Sequence, residues 1–179
     1  MLKPAKLREH LTRALPELAR DPEKLVMFVT AGSIQSTLTA ALSYEYGYTL
    51  RLLFLDYAGH ADAVLAPLLI WLREHQSELL DNPEKRAKAI RFEAEFLSTT
   101  TMDLVFELDL SERVLARARP GQPGALNLVH VDEPAHISRH TPAGRLPDGE
   151  PGREHWSFWL HDTLLAEWDH DPRPTALSD

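Results

Sequence analysis

Two neighbouring stretches of the chain alternate between apolar and polar or charged residues, and this pattern constrains the fold more than any other feature. Their apolar members are Ile90, Phe92, Ala94 and Phe96 in 90–97, and Met102, Leu104, Phe106, Leu108 and Leu110 in 102–110. Successive side chains of a β-strand point to opposite faces, so a period of two predicts two half-buried strands. The short Ser-Thr-Thr-Thr segment at 98–101 is expected to join them as antiparallel neighbours.

The remaining elements are predicted from weaker patterns. Apolar residues at helical spacing predict an N-terminal helix over Pro4–Ala14 and a long helix over Asp62–Leu80. Further strands are expected at Ile34–Tyr46 and Tyr48–Asp56, joined by Gly47, and at Leu126–Val131 as a last core strand, with 111–118 continuing as strand or arm. The run Leu25–Thr30 fits a buried strand or a short apolar helix, and Ala31-Gly32-Ser33 is expected to end it.

These elements predict an α/β (α+β) fold, a mixed and mostly antiparallel sheet packed against one long helix and one N-terminal helix. We expect residues 1–133 to form this domain. Prolines, glycines and charges without apolar periodicity predict a linker over 134–153. A β-hairpin appendage is predicted over 154–169, turning at His161-Asp162, and a disordered tail over 170–179.

Composition limits the functional classes. The chain of 179 residues has a formal net charge of −8, which argues against nucleic acid as the main partner. It has no cysteine, which excludes disulfides and thiolate chemistry. No apolar run is long enough for a bilayer span, and the N-terminus lacks the apolar region of a secretory signal. We therefore expect a soluble cytoplasmic protein that binds neither nucleic acid nor membrane.

Nine histidines in such a chain raise the possibility of a metal site. His136 and His140 have the spacing of two ligands on one helix face, but Pro134 and Pro142 flank them, and two ligands do not make a site. Solvated linker histidines are the simpler interpretation. The rival hypothesis is a small metal-dependent hydrolase that uses His130, His136, His140 and the acidic residues of the alternating strands.

Other catalytic chemistry has little support. Ser33 follows Gly32, but the second glycine of a Gly-x-Ser-x-Gly motif is missing, so Ser33 is more simply a turn residue. Neither glycine-rich nucleotide-binding motif is present. The acidic residues of the alternating strands should lie on the solvent face of the sheet, and they are Glu93, Glu95, Asp103, Glu107 and Asp109. We predict no catalytic residue, metal or cofactor.

The aromatic residues of the hairpin suggest an interaction surface. Residues 156, 158 and 160 should lie on one face of the hairpin and residue 159 on the other. An isolated hairpin is marginal in water, and one underlying core cannot cover aromatics on both faces. The predicted protein interface therefore consists of Trp156, Phe158, Trp159, Leu160 and Trp168, although packing back on the same chain is an equal alternative.

A series of short motifs occurs in the same order in one known family. They are Met1-Leu2-Lys3-Pro4 with Leu7-Arg8, Gly32-Ser33-Ile34, Ser36-Thr37-Leu38, Leu42-Ser43-Tyr44-Glu45, Tyr48-Thr49-Leu50, Asp56 with Gly59, Pro67, Trp71-Leu72-Arg73-Glu74-His75-Gln76, Ser111-Glu112-Arg113, Glu133-Pro134 and the terminal Trp168. In this order they resemble the phage tail completion protein R (GpR) family of contractile-tailed bacteriophages. The C-terminal third departs from the family in its longer, histidine-rich linker and additional tryptophans.

The resemblance implies a tail-terminator-like structural protein. Such a protein completes the head-proximal end of a contractile tail, stops tail growth and prepares the joining of the head. It implies self-association into a ring, contact with tail tube or sheath and with head-completion proteins, and a location first in the host bacterial cytoplasm and then in the virion tail. No catalytic residues accompany the family. The terminal hairpin is a candidate for the contacts that close such a ring.

Overall fold

The computed structural model describes residues 1–36, 42–132 and 154–170. Its helices are α1 (Lys3–Ala14), α2 (Pro16–Arg20), α3 (Ala61–His75), α4 (Ser77–Asp81) and α5 (Pro83–Arg86), with a 3-10 turn at Pro22–Lys24. Its strands are β1 (Leu25–Ser36), β2 (Tyr44–Tyr57), β3 (Ile90–Phe96), β4 (Met102–Ala118), β5 (Leu126–Val131), β6 (Glu154–Leu160) and β7 (Thr163–His170). No helix among these residues is long and apolar enough to cross a membrane.

The larger of the two sheets has five strands. Four of them follow the order β1-β2-β4-β3, and β5 is the fifth. Strand β5 pairs with the far half of β4, so β3 and β5 lie on the same side of that long strand. Every described pair of neighbouring strands is antiparallel. The predicted α+β class is therefore confirmed, as is the antiparallel pairing of the two alternating stretches.

The predicted breaks at Ala31-Gly32-Ser33 and Gly47 were wrong, and so was the single strand Ile34–Tyr46, because Ile34 of β1 pairs with Tyr46 of β2. Strand β1 runs through Ala31-Gly32-Ser33, and Gly47 lies inside β2 rather than between two strands. The two glycines face the neighbouring strand, since Gly32 pairs with Tyr48 and Gly47 with Ser33. A Cβ at Gly32 would lie 3.3 Å from the Cβ of Tyr48. Gly32 thus marks a close approach to the neighbouring strand, and neither glycine forms a turn.

The long helix also differs from the prediction. It begins at Ala61 and ends at His75, and α4 follows after Gln76, whose φ of −153° is not helical. The Gln76 side chain is fully buried, and its Oε1 accepts hydrogen bonds from Lys3 Nζ and Ser111 N. Pro67 lies inside the helix, where it removes one backbone hydrogen bond.

The hydrophobic core lies between α1, α3 and one face of the sheet. Alternate residues of β2 and β4 supply that face, and the buried ones include Leu50, Leu52, Phe54, Leu104, Phe106 and Leu108. The helices contribute mainly leucines and the 1%-exposed Trp71. Strand β5 was predicted as a core strand, but Leu126 and Leu128 are 45% and 57% exposed, so these side chains lie outside the core.

The predicted hairpin forms a separate two-stranded sheet of β6 and β7. Its turn is at His161-Asp162, where His161 has a φ of +52°. A bulge between Phe158 and Trp159 shifts the register near the turn. Strand β7 extends to His170, one residue past the predicted end, and packs beside α1 and α3. The predicted linker 134–153 and nearly all of the predicted tail lie outside the described residues.

Candidate interaction surface on the C-terminal hairpin

Three of the predicted interface residues form an aromatic stack on the inner face of the hairpin. The rings of Phe158 and Trp168 are stacked with centroids 5.5 Å apart, and those of Trp156 and Phe158 are 6.1 Å apart. Trp156 pairs directly with Trp168 across the two strands, which places their side chains on the same face. All three pack against the hydrophobic core, so within this chain the stack holds the hairpin on the body.

Trp168 is the most deeply buried member of this stack. It is 5% exposed, and its ring meets that of His10 in α1 edge to face, with centroids 5.8 Å apart. His10 Nε2 lies 3.0 Å from the carbonyl oxygen of Pro67 in α3. A carbonyl oxygen only accepts, so Nε2 carries the proton and donates the hydrogen bond. Among the described residues, nothing accepts a hydrogen bond from the buried indole Nε1 of Trp168.

The other two predicted interface residues are exposed near the turn. Trp159 is 59% exposed and pairs with Leu164, which is 41% exposed, while Leu160 is 37% exposed. The indole Nε1 of Trp159 donates to Ser157 Oγ over 3.1 Å. We call Trp159, Leu160 and Leu164 the hairpin tip. Contact of the tip, or of any of the five residues, with a partner remains a prediction.

A histidine links the two strands on the outer face of the hairpin. His155 Nδ1 lies 2.9 Å from Asp169 Oδ1, and its Nε2 lies 2.8 Å from Glu167 Oε1. The hydrogen bond to Asp169, and then that to Glu167, raise the pKa of His155 above its usual value. Both partners are negative, so the protonated imidazole is favoured and ties the end of β7 to β6.

A buried polar cluster, which no sequence pattern above identified, fixes the N-terminus to the sheet. The carboxylate of Glu112 in β4 accepts hydrogen bonds from Leu2 N at 2.6 Å, Lys3 N at 3.3 Å and Tyr48 Oη at 2.6 Å. Burial alone would raise the pKa of Glu112, but these three donors and the terminal ammonium lower it overall. Glu112 also lies 3.1 Å from His130 Nδ1.

Three residues of the predicted acidic face, Glu93, Glu107 and Asp109, take part in a network of ion pairs. Arg91 in β3 donates two hydrogen bonds to Asp109, at 2.8 and 2.9 Å, and one to Glu107. Arg51 of β2 reaches Glu107 at 3.0 Å and Glu93 at 3.4 Å. The Arg91 guanidinium lowers the pKa of Asp109. These salt bridges join the three strands β2, β3 and β4.

The metal-dependent hydrolase gains no support from this geometry. Within 1–36, 42–132 and 154–170, no three histidine or acidic side chains are grouped to hold a metal ion. His130 is hydrogen-bonded to Glu112, and Ser33 lies in β1 opposite Gly47. His136 and His140 lie outside the described residues.

Comparison with known proteins agrees with a structural role. The family model described as P2 phage tail completion protein R (GpR) matches residues 1–134. Tail completion protein R of Escherichia phage P2 is 34% identical over 169 residues, which cover 94% of this chain and 99% of that protein. No solved structure is significantly similar. The resemblance predicted from the colinear motifs is thus confirmed. The chain belongs to the P2 phage tail completion protein R family, and its role is a structural one in phage tail assembly.

Proposed function

We propose that this protein completes the head-proximal end of a contractile phage tail as a ring of identical copies. The ring stops tail growth and presents a surface to which the head is joined. The observation that carries the proposal is the relationship to Tail completion protein R over nearly the full length of both chains. Assembly takes place in the host bacterial cytoplasm, and the protein then stays in the virion tail.

The partners we propose are further copies of this chain, the tail tube or sheath, and head-completion proteins. The function requires no catalysis and no cofactor. A stoichiometric transition metal in the purified protein would contradict this part of the proposal and favour the hydrolase. Metal analysis of the full-length chain therefore separates the two classes of function.

The hairpin tip is the part of the predicted interface that is available for a partner. Trp159, Leu160 and Leu164 expose large apolar side chains to solvent beside the turn of the hairpin. Exposed aromatic residues are frequent energetic centres of protein interfaces because they bury much area with few rotamers. Trp156, Phe158 and Trp168 support this surface by holding the hairpin in place.

Removal of residues after Pro134 is a first test of the hairpin. The remaining domain should fold but assemble less well than the full chain, as measured by light scattering. Equal oligomerisation of the two proteins would contradict a role of the hairpin in assembly. This deletion also uncovers the helix surface that Trp168 occupies, so a point substitution is the cleaner test.

Trp159→Ser removes the aromatic side chain of the tip without affecting the core. Leu42→Ser is the matched control, because Leu42 is 65% exposed and lies outside the hairpin. Each variant is produced in cells whose phage genome lacks this gene, and electron microscopy counts the tails joined to heads. We expect few joined particles with Trp159→Ser and a wild-type count with the control. Equal counts would contradict the role of the tip.

Antibody labelling of an epitope added after Asp179 tests the location. The label should lie only at the head-proximal end of isolated tails. Label along the tail or at its distal end would contradict the proposed function.

A further inference from the structure

Strand β1 forms one edge of the sheet and has little of the usual protection of an edge. Among the described strands it pairs only with β2. Its 12 residues, LVMFVTAGSIQS, include no charged residue and no proline. Soluble proteins usually protect an exposed edge with charges, prolines or bulges, because unpaired backbone groups recruit further strands. Strand β1 has one bulge, between Val29 and Ala31. A long, uncharged edge of this kind is suited to pairing with another strand.

The opposite edge of the sheet also exposes apolar side chains on one of its faces. It consists of β3 and β5, which follow one another along β4. Phe92 and Phe96 of β3 are 71% and 75% exposed, and Leu128 of β5 is 57% exposed. Their cross-strand partners are Phe106, Met102 and Ala116, so these exposed side chains are on the face of the sheet that carries the core.

Exposed apolar residues of β1 are on that same face. Val29 pairs with Leu50 and Ile34 with Tyr46, and they are 39% and 67% exposed. If the sheet of one copy continued into that of the next, these side chains would meet Phe92 and Phe96 on one side of the joined sheet. Burial of the exposed apolar side chains of both edges would favour association of the two copies.

The strand directions permit such continuation. The sheet order β1-β2-β4-β3 contains four strands, each antiparallel to its neighbour, so β1 and β3 run in opposite directions. Strand β5 is also antiparallel to β4 and so runs with β3. When copies repeat in the same orientation, the β3 and β5 edge of one copy meets the β1 edge of the next with antiparallel direction. Antiparallel pairing therefore continues across every boundary.

We propose that β1 of each copy pairs with the β3 and β5 edge of the next copy, so that the sheets join around the ring. This inference rests on the proposed ring and names the surface that builds it. The contact is heterologous, since two different edges meet, and such contacts close into rings. Pairing of β1 with β1 would instead close a dimer and leave Phe92 and Phe96 uncovered.

Ile34→Lys places a charge on the β1 edge. Because Ile34 is already 67% exposed, the thermal unfolding of the free variant should match that of the wild type. Leu42→Lys is the control, as Leu42 is 65% exposed and lies in no strand. Each variant replaces the wild type in phage-producing cells, and its amount in purified tails is measured by immunoblot. We expect at least a tenfold loss for Ile34→Lys alone, and incorporation at the wild-type level would overturn the proposal.

Cross-linking identifies the strand that β1 meets. The chain has no native cysteine, so Val29→Cys and Phe92→Cys introduce the only thiols. A short bismaleimide applied to tails with the doubly substituted protein should give a ladder of covalent oligomers, whereas either single variant should give none. Dimers from Val29→Cys alone would show β1 pairing with itself, and the absence of a ladder from the double variant would also overturn the proposal.

These results separate the two proposals. If tails contain no wild-type protein, the proposed function fails whatever the cross-links show. If several copies per tail are present and labelled at the head-proximal end, but no ladder forms, only the pairing of the β1 edge fails.

Discussion

Trp168 of β7 lies edge-on to His10 of α1, with ring centroids 5.8 Å apart and ring planes 81° apart. Through this contact the C-terminal hairpin is held on the first helix of the chain. The inner face of the hairpin thereby belongs to the core, and the tip extends into solvent.

Trp168→Ala should lower the free energy of unfolding by about 3–5 kcal/mol, because it leaves a large cavity beneath the hairpin. Trp168→Phe should cost less, since it keeps one ring and removes an indole N–H that has no acceptor among the described residues. Trp159→Ala, at a 59%-exposed position, should change stability by less than about 0.5 kcal/mol. Urea unfolding measures all three, and equal losses at 159 and 168 would contradict this packing.

Glu112→Gln should destabilise the protein by about 2 kcal/mol, because hydrogen bonds from Leu2, Lys3 and Tyr48 lose their charged acceptor. The folded state lowers the pKa of Glu112, so the carboxylate stabilises the fold above its unfolded pKa. That stabilisation disappears as the pH falls through the lowered pKa of the folded state. Urea unfolding at several pH values should show the unfolding free energies of the wild type and the variant converging in acid. A difference independent of pH would contradict the stabilising role of the Glu112 carboxylate.

His155 should titrate above its ordinary pKa of 6.5 because Asp169 and Glu167 favour its protonated form. A raised pKa in the folded state means that the contact is fully present below the unfolded pKa and weakens as the pH rises through the folded pKa. NMR titration of the imidazole protons checks the midpoint, and Asp169→Asn should lower it. A midpoint at or below 6.5 in the wild type would be inconsistent with the bridge.

Arg91→Lys should destabilise the protein by less than about 1 kcal/mol, since the side chain is 42% exposed and solvent weakens its ion pairs. The loss arises because lysine lacks the planar fork that binds both oxygens of Asp109. The difference from wild type, measured by urea unfolding, should shrink in high salt. Arg86→Lys on α5 is the control. A larger loss of unfolding free energy for Arg86→Lys than for Arg91→Lys would contradict a stabilising role of the ion-pair network.

The alternating stretches were predictable because a half-buried strand leaves a period of two in the sequence. The same pattern contained a further indication that was missed. Glu112 occupies a core position in the series Leu104, Phe106, Leu108, Leu110, Glu112, Val114, and a charge at such a position indicates a buried polar cluster. Its donors at Leu2, Lys3 and Tyr48 are distant in sequence, so local patterns could not identify them.

The glycines and the hairpin illustrate two other limits. Gly32 and Gly47 suggested turns, whereas both lie inside paired strands and Gly32 closely approaches Tyr48, and local sequence does not distinguish a turn glycine from a strand glycine. The hairpin was predicted with its turn, but which aromatics face the chain depends on its docking against α1. Sequence alone therefore could not show that Trp168 is buried and Trp159 exposed.

Electron microscopy of lysates from cells whose phage genome lacks this gene tests the central claim most directly. If the protein completes the tail, these lysates should contain filled heads and separate tails but almost no joined particles, and supplying the gene in trans should restore joining. Joined, infective particles in normal numbers without the gene would contradict the account.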